Sequence, residues 1–130
     1  MRTLIVEDDF TSRHLLQTFL APHGPYDVVI NGQEAIAAFK IAWEEKHPFD
    51  LICMDIVMPN MNGLEALKKI RAAEKEMEIK EKDRAKIIMT TSDSEQQSVI
   101  NALKTGADWY LVKPLSKKKF EEELTKLGLV

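Results

Sequence analysis

The sequence predicts an open, doubly wound α/β sheet, with five parallel strands and helices on both faces. Five short runs of continuous apolar residues recur along the chain, and apolar residues at helical spacing follow them. Continuous apolarity is typical of strands buried on both faces, and a repeated strand–helix alternation favours parallel strands joined by right-handed crossovers. The chain has 130 residues, of which 45% are hydrophobic and 30% charged. This size and balance suit one compact domain over residues 1–130.

The predicted elements follow one another in a regular order. We predict strands over residues 4–6, 26–30, 51–54, 87–89 and 109–112. Two helices are marked by apolar stripes, formed by Ala35, Ile36, Phe39, Ala42 and Trp43 and by Phe120, Leu124 and Leu127. Ser94 and Ser116 are predicted to cap the fourth and fifth helices, and Gly106 is predicted to end the fourth.

Charge and cysteine content exclude several classes of protein. Eighteen Lys and Arg against 21 Asp and Glu give a net charge of -3. General binding to nucleic acid is therefore disfavoured, because neutralising phosphates requires a basic excess. Cys53 is the only cysteine, so an internal disulfide is impossible, and no Cys/His cluster predicts a zinc site.

No apolar run approaches the roughly 18 residues of a membrane span. The amino terminus becomes acidic directly after Val6, unlike a signal peptide, so we expect a cytoplasmic protein.

Two segments are unusually rich in charge. Ten of the thirteen residues in the segment 74–86 are charged. We interpret this segment as the solvated end of the third helix followed by a longer loop, with a charged docking surface as the alternative. The lysines at 117–119 are interpreted as a solvated face of the last helix, with a patch for a partner as the alternative.

Polar side chains follow four of the five predicted strands. In sheets of this class, ligands bind outside the carboxyl ends of the strands, so residues at these positions are candidates for a functional site. They are Glu7, Asp8 and Asp9 after the first strand, Asp55 after the third, Thr90, Thr91 and Ser92 after the fourth, and Lys113 with Pro114 after the fifth. Carboxylates, hydroxyls and an amine are therefore expected to meet at one edge of the sheet.

This set of groups favours phosphoryl transfer assisted by a metal ion. Carboxylates crowded at one edge repel one another unless a cation offsets their charge, and an all-oxygen site with open positions suits Mg²⁺. The ammonium of Lys113 and a hydroxyl such as that of Thr91 can bind the oxygens of a phosphoryl group in transfer. A carboxylate with no better nucleophile nearby is the candidate phosphoryl acceptor.

The order and spacing of these positions resemble the signature of a known family. The positions are Glu7, Asp8, Asp55 with the segment 55–63 that it begins, Thr91, Lys113 and Pro114. Over essentially the whole chain, the sequence resembles the response-regulator receiver domains of two-component signalling, in the stand-alone form of the chemotaxis regulators. The resemblance implies a flavodoxin-like fold with a five-stranded parallel sheet of order 2-1-3-4-5 and five helices.

The resemblance also implies how the acidic residues act. Asp55 would be the phospho-acceptor. Mg²⁺ would be coordinated by Asp8, Asp55 and the backbone carbonyl of Val57, with Glu7 acting through a bound water. Asp9 lies one position beyond the acidic pair and is interpreted as an acid at the N-terminus of the first helix.

The other signature residues would bind the phosphoryl group and report its presence. Lys113 would pair with the group, and its peptide bond to Pro114 would be cis. Thr91 would be the switch hydroxyl, and Tyr110 the aromatic residue whose orientation follows it.

By the same resemblance, two residues would control how long the phosphoryl group survives. Val57 and Asp93 would flank the path of the attacking water. Val57 is apolar and offers no hydrogen bond to orient that water, whereas the chemotaxis regulators carry an amide at this position. We therefore expect a longer-lived phosphate than in those regulators.

The expected function is a phosphorylation-dependent switch rather than an enzyme acting on other substrates. A histidine kinase or phosphotransfer protein would donate the phosphoryl group, and slow autodephosphorylation would remove it. The chain ends at Val130, just after the fifth predicted helix, so we expect the output to act in trans on another protein. Helix four, strand five and helix five would form the output surface, where Trp109 is the residue most suited to a contact. We expect a monomer or a weak, phosphorylation-dependent dimer with no direct nucleic-acid or membrane partner.

Competing functions lack residues that they require. A phosphatase of the haloacid-dehalogenase kind needs a second Asp two positions after the first, and Val57 stands there. A flavodoxin-like cofactor binder needs a hydroxyl- and glycine-rich loop after the first strand, where the acids of residues 7–9 would repel a flavin phosphate. The sequence contains neither the G-x-x-x-x-G-K-[ST] loop nor the G-x-G-x-x-G loop that nucleotide-binding proteins use.

Overall fold

The computed structural model describes residues 1–58, 60–92 and 96–130. Its sheet has five strands: β1 (Thr3–Val6), β2 (Tyr26–Val29), β3 (Leu51–Asp55), β4 (Lys86–Thr91) and β5 (Trp109–Val112). All neighbouring strands are parallel, and their order is β2-β1-β3-β4-β5. The predicted fold class and strand order are confirmed.

Five helices connect or follow the strands: α1 (Phe10–Leu20), α2 (Gly32–Glu44), α3 (Gly63–Glu76), α4 (Gln96–Thr105) and α5 (Lys117–Lys126). Two short 3-10 helices, Ala21–His23 and Glu81–Asp83, lie in the connections before β2 and β4. Ser116 caps α5 through its side chain, and Gly106 adopts a φ of 122° directly after α4, as predicted. The predicted cap Ser94 lies outside the described residues. Among the helices described, none has both the length and the apolar character needed to cross a membrane.

Alternating side chains divide the interior into two cores, one on each face of the sheet. On one face, Leu4, Val6, Ile52, Met54 and Met89 pack against apolar residues of α2, α3 and α4. On the other face, Ile5, Cys53, Ile88 and Leu111 pack against apolar residues of α1 and α5. Cys53 is fully buried and packs there as a small apolar core residue. This alternation continues past the strand ends and decides which site residues share a face.

Burial on both faces was predicted for all strands and is wrong for the two edge strands. β1 and β3 are fully buried, whereas β2 and β5 contain half-buried and exposed residues. In β5, Trp109 is 42% exposed and Val112 is 40% exposed. An edge strand has a neighbour on one side only, so its covering helix leaves part of it in solvent.

The charged segment 74–86 is only partly a solvated surface. Glu74 is fully buried, and its carboxylate accepts hydrogen bonds from Arg71 at 2.7 Å and from the backbone N–H of Ala85 at 2.9 Å. Most other charged side chains of the segment are exposed, as predicted. The prediction is wrong at Glu74 because this position lies on the inner side of α3, where a tertiary partner offsets its charge.

Arg71 joins three parts of the fold at the end of the sheet opposite the predicted site. Its guanidinium donates to the carbonyl of Gly106 at 3.0 Å, the carbonyl of Ala85 at 2.8 Å and the Asp108 carboxylate at 2.9 Å. Together with Glu74, these contacts fasten α3 to the start of β4 and to the turn between α4 and β5. We call Arg71, Glu74 and Asp108 the Arg71 cluster.

Candidate functional site

The carboxyl ends of the parallel strands bring the predicted site residues together. Asp55 is the last residue of β3 and is paired in register with Thr90 of β4. Glu7 directly follows β1, whose last residue, Val6, is paired with Met54. Lys113 directly follows β5. The four strand ends therefore place two carboxylates, a hydroxyl and an amine side by side.

Three carboxylates form a compact group at this edge. Glu7, Asp8 and Asp55 each offer an oxygen, and these oxygens all lie within 4.8 Å of one another. Glu7 is fully buried and Asp55 is 6% exposed, whereas Asp8 is exposed. Such an all-oxygen group, open to solvent at Asp8, fits a hard divalent cation that keeps some of its waters, as Mg²⁺ does.

The ammonium of Lys113 bridges the two buried carboxylates. Its Nζ lies 3.2 Å from Oε2 of Glu7 and 3.3 Å from Oδ2 of Asp55. Burial by itself lowers the pKa of Lys113, but the Asp55 and Glu7 carboxylates outweigh this effect and raise that pKa above its ordinary value. Lys113 is therefore charged at neutral pH. Its peptide bond to Pro114 is cis, as the resemblance implied.

One ammonium does not fully offset the acidic group. Burial, together with the nearby Asp55 carboxylate, raises the pKa of Glu7 to about 7, against opposing effects from Asp9 and Lys113. Burial also raises the pKa of Asp55, although Lys113 acts in the opposite direction. The ionised forms of both acids are therefore less favoured in the protein alone than in water. A bound cation would favour them.

Asp9 has a structural position next to this group. Its side chain caps α1 by accepting a hydrogen bond from the N–H of Ser12 at 2.9 Å, which confirms its interpretation as a helix N-terminal acid. Its own backbone N–H donates to Oε1 of Glu7 at 3.1 Å. The start of α1 thus helps to hold the Glu7 carboxylate in place.

The loop between β3 and α3 closes tightly on the end of β3. The backbone N–H of Gly63 donates to the carbonyl of Ile56 at 2.7 Å. A Cβ at position 63 would lie 2.1 Å from the carbonyl oxygen of Asp55, so this approach requires glycine. Val57, in the same loop, is 59% exposed beside the acidic group. Of the signature segment, Pro59 lies outside the described residues.

Thr91 and Tyr110 lie on the opposite face of the sheet from the acidic group. Tyr110 packs against the core formed with α2, α3 and α4, and its ring centroid lies 5.2 Å from that of Trp109. Thr91 is buried, and its hydroxyl donates to the carbonyl of Ser92 at 3.2 Å. A cavity of about 320 Å³ lies between α4 and β5, lined in part by Thr91, Tyr110 and Ile100. Space for an aromatic ring is therefore available beside β5.

Thr90, predicted only as one of the polar residues at the end of the fourth strand, belongs to the site. It is fully buried, and its hydroxyl donates to Oε2 of Glu7 at 3.5 Å. The alternation along β4 could have shown this, because Thr90 lies two positions after Ile88 and therefore faces the same side as Asp55. Asp93, the second residue predicted to affect phosphate lifetime, lies outside the described residues.

Comparisons with known proteins agree with this geometry. A family model described as "Response regulator receiver domain" matches residues 3–125. The chemotaxis protein CheY of Thermotoga maritima is 36% identical over 130 residues, covering 98% of this chain and 97% of that protein.

Two solved structures are similar over nearly the whole chain. The receiver domain of Ssk1 from Saccharomyces cerevisiae, co-crystallised with the histidine phosphotransfer protein Ypd1, has a TM-score of 0.81 and 32% identity, covering 98% of this chain and 88% of that chain. A CheX–CheY–BeF3–Mg²⁺ complex from Borrelia burgdorferi has a TM-score of 0.81 and 28% identity, covering 98% and 89%. With the strand order and the acidic group at the strand ends, these matches show that the chain belongs to the response regulator receiver domain family and is a CheY-like receiver domain of two-component signalling.

Proposed function

We propose that the protein is a phosphorylation switch that accepts a phosphoryl group on Asp55 and thereby controls another protein in trans. The observation that carries this proposal is the Lys113 ammonium, held 3.3 Å from Asp55 within a group of three carboxylates. This arrangement places a nucleophilic oxygen, a fixed positive charge and a cation-binding group around one point.

The chain's own residues divide the work of the transfer. An Asp55 carboxylate oxygen forms a bond to phosphorus as the phosphorus–nitrogen bond of a donor histidine breaks, and the imidazole leaves with the electron pair. Lys113 offsets the charge on the transferred oxygens. Asp8, Asp55 and the carbonyl of Val57 would hold Mg²⁺, with Glu7 acting through a water. The ion would supply further positive charge to the same oxygens.

Thr91 and Tyr110 are proposed to carry the signal through the sheet. The phosphoryl group adds a charge of roughly -1.5 to -2 and strong acceptor oxygens, which would draw the Thr91 hydroxyl toward Asp55. This movement would let the Tyr110 ring turn into the cavity between α4 and β5. The surface formed by α4, β5 and α5 would then change its shape, and exposed residues such as Trp109 would contact the target.

The partners and the lifetime of the signal are part of the same proposal. Since the similar Ssk1 receiver domain was crystallised with a histidine phosphotransfer protein, a histidine kinase or phosphotransfer protein is the proposed donor here. The protein would act as a monomer or a weak, phosphorylation-dependent dimer, without contacting nucleic acid itself. Val57, exposed and apolar beside Asp55, would shield the phosphoryl group and orient no water. Autodephosphorylation would therefore be slow.

Incubation with acetyl phosphate and Mg²⁺ is expected to add one phosphoryl group, on Asp55. Intact-mass spectrometry of the wild type and of Asp55→Asn checks this, because the amide variant keeps the shape of the site but lacks the nucleophile. Asp50→Asn is a matched control, since Asp50 is an exposed acid just before the same strand. Equal labelling of wild type and Asp55→Asn would refute the assignment.

Thr91→Ala is expected to accept the phosphoryl group but to lose the surface change. Because the Trp109 and Tyr110 rings lie 5.2 Å apart, Trp109 fluorescence reports movement of Tyr110. The measurement compares beryllofluoride-induced fluorescence changes in a Trp43→Phe background, which leaves Trp109 as the only tryptophan. Thr91→Ser, which keeps the hydroxyl, should respond like the wild type. A full response in Thr91→Ala would place the signal path elsewhere.

A further inference from the structure

Thr90 places a buried hydroxyl next to Ile88, on the face of β4 that packs against α1 and α5. Ile88, two positions earlier, packs in the core with α1 and α5, and Leu111 of the neighbouring strand lies in register with Thr90. A fully buried hydroxyl needs a hydrogen-bond partner. Here the partner is Oε2 of Glu7, 3.5 Å away. This contact links β4 to Glu7, the residue that follows β1, next to Asp55 at the end of β3.

Glu7 is held by three contacts that differ in how firmly they are fixed. The backbone N–H of Asp9 donates to Oε1, and the Thr90 hydroxyl donates to Oε2. The Lys113 ammonium contacts both oxygens, at 3.3 Å from Oε1 and 3.2 Å from Oε2. Lys113 reaches Glu7 at the end of a flexible four-carbon side chain, and the same ammonium also lies against Asp55. Thr90 is β-branched and sits in a strand with neighbours on both sides, so its hydroxyl has few alternative positions.

Under the proposed function, the Lys113 ammonium would pair with phosphoryl oxygens and would then contact Glu7 less closely. The Thr90 hydroxyl would remain as a fixed contact on Oε2. Partners of this kind, which orient a metal ligand without touching the metal, commonly determine metal affinity.

We propose that Thr90 is a positioning residue for Glu7, and that its hydroxyl holds the Glu7 carboxylate in the orientation that supports Mg²⁺. The inference rests on the proposed function, since it assigns the acidic group to a magnesium ion. It adds a residue of β4 to a site otherwise made of residues that follow the strands or end them.

The test is the magnesium affinity of Thr90→Val, measured from the Mg²⁺ dependence of the melting temperature at constant pH. Valine keeps the β-branched shape and removes only the hydroxyl. Such outer contacts contribute about 10- to 100-fold to metal affinity, and because this one is long, we expect a loss of about three- to tenfold. Thr90→Ser keeps the hydroxyl and should restore affinity close to that of the wild type. An unchanged affinity in Thr90→Val, or a loss as large in Thr90→Ser, would overturn the inference.

Repeating the Thr90→Val substitution in a variant without the Glu7 carboxylate separates a positioning effect on Glu7 from a general effect on the fold. In Glu7→Met, which has no carboxylate to position, adding Thr90→Val should leave the remaining magnesium affinity unchanged. An equal loss in both backgrounds would show that Thr90 acts through packing and would overturn the inference. If Thr90→Val does not fold, Thr90→Ala carries the same expectations.

Failure of this inference differs from failure of the proposed function. If wild-type protein is labelled by acetyl phosphate while Thr90→Val binds Mg²⁺ normally, the Thr90 assignment alone is wrong. If the variants follow the expected pattern of magnesium affinity but the wild type is never labelled, the phosphorylation switch is wrong and the Thr90 assignment stands.

Discussion

Without magnesium, the folded protein is expected to lose stability as the pH rises from 4.5 to about 7. Over this range Glu7 keeps its proton in the folded state, because burial raises its pKa from 4.5 to about 7, but loses it in the unfolded state. The folded state therefore binds more protons, so stability falls with rising pH. From Glu7 alone this amounts to about 3 kcal/mol. The raised pKa of Asp55 acts in the same direction.

Saturating Mg²⁺ should flatten this pH dependence. A bound cation favours ionised carboxylates and so opposes the effect of burial on Glu7 and Asp55. At neutral pH the ion is also expected to stabilise the fold by about 1–3 kcal/mol once it greatly exceeds its dissociation constant. Urea unfolding of the wild type at several pH values, with and without Mg²⁺, measures both effects.

Glu7→Gln is the control for this prediction, because it keeps the size of the side chain and removes the titrating group. Subtracting its pH profile from that of the wild type removes the contribution of all other titrating groups. A difference that is flat between pH 4.5 and 7 would contradict the raised pKa of Glu7.

Replacing Arg71 by methionine is expected to lower the free energy of unfolding by about 3–5 kcal/mol. Glu74 is fully buried, and Arg71 is the cation that offsets its charge at 2.7 Å. Removing the guanidinium leaves this carboxylate without a counter-charge. It also removes donors from the carbonyls of Gly106 and Ala85.

Two variants show whether this loss comes from the buried charge. Glu74→Gln added to Arg71→Met should recover part of the stability, because the neutral side chain needs no counter-ion. Arg13→Met is the matched control: its guanidinium lies 5.7 Å from the ring centroid of Phe10, and its removal should cost less than about 1 kcal/mol. Similar losses in Arg71→Met and Arg13→Met, measured by urea unfolding, would contradict the importance of the Arg71 cluster.

The fold class followed from the sequence, whereas the exposure of individual strands did not. Continuous apolar runs identified all five strands, because a buried parallel strand leaves that pattern wherever it lies in the sheet. The run 26–30 was predicted as a buried strand although it contains Asp27, and β2 lies at one edge of the sheet. Position in the sheet depends on how the chain winds, which local composition does not record. Strand order was expected only through the family resemblance.

The residues gathered at the strand ends were also predicted, but contacts that depend on tertiary partners were not. Glu7, Asp8, Asp55 and Lys113 could be named because each follows an apolar run. Glu74 could not be distinguished from its exposed charged neighbours, since its burial depends on Arg71 and on a loop eleven residues away. Thr90 is adjacent to the predicted switch residue Thr91. The two side chains lie on opposite faces of the sheet, and their proposed roles differ for that reason.

The division of the strand ends between two faces has an evolutionary consequence. Glu7, Asp55 and Lys113 lie on the side of α1 and α5, while Tyr110 packs on the side of α4. Under the proposed function, substitutions at exposed positions of α4 such as Ile100 would therefore alter the contacts with a partner without touching the acids. Copies of a duplicated gene could then diverge in the target contacts made by α4 while keeping the same acidic site. The same separation would let protein engineers change the α4 contacts without altering the acids.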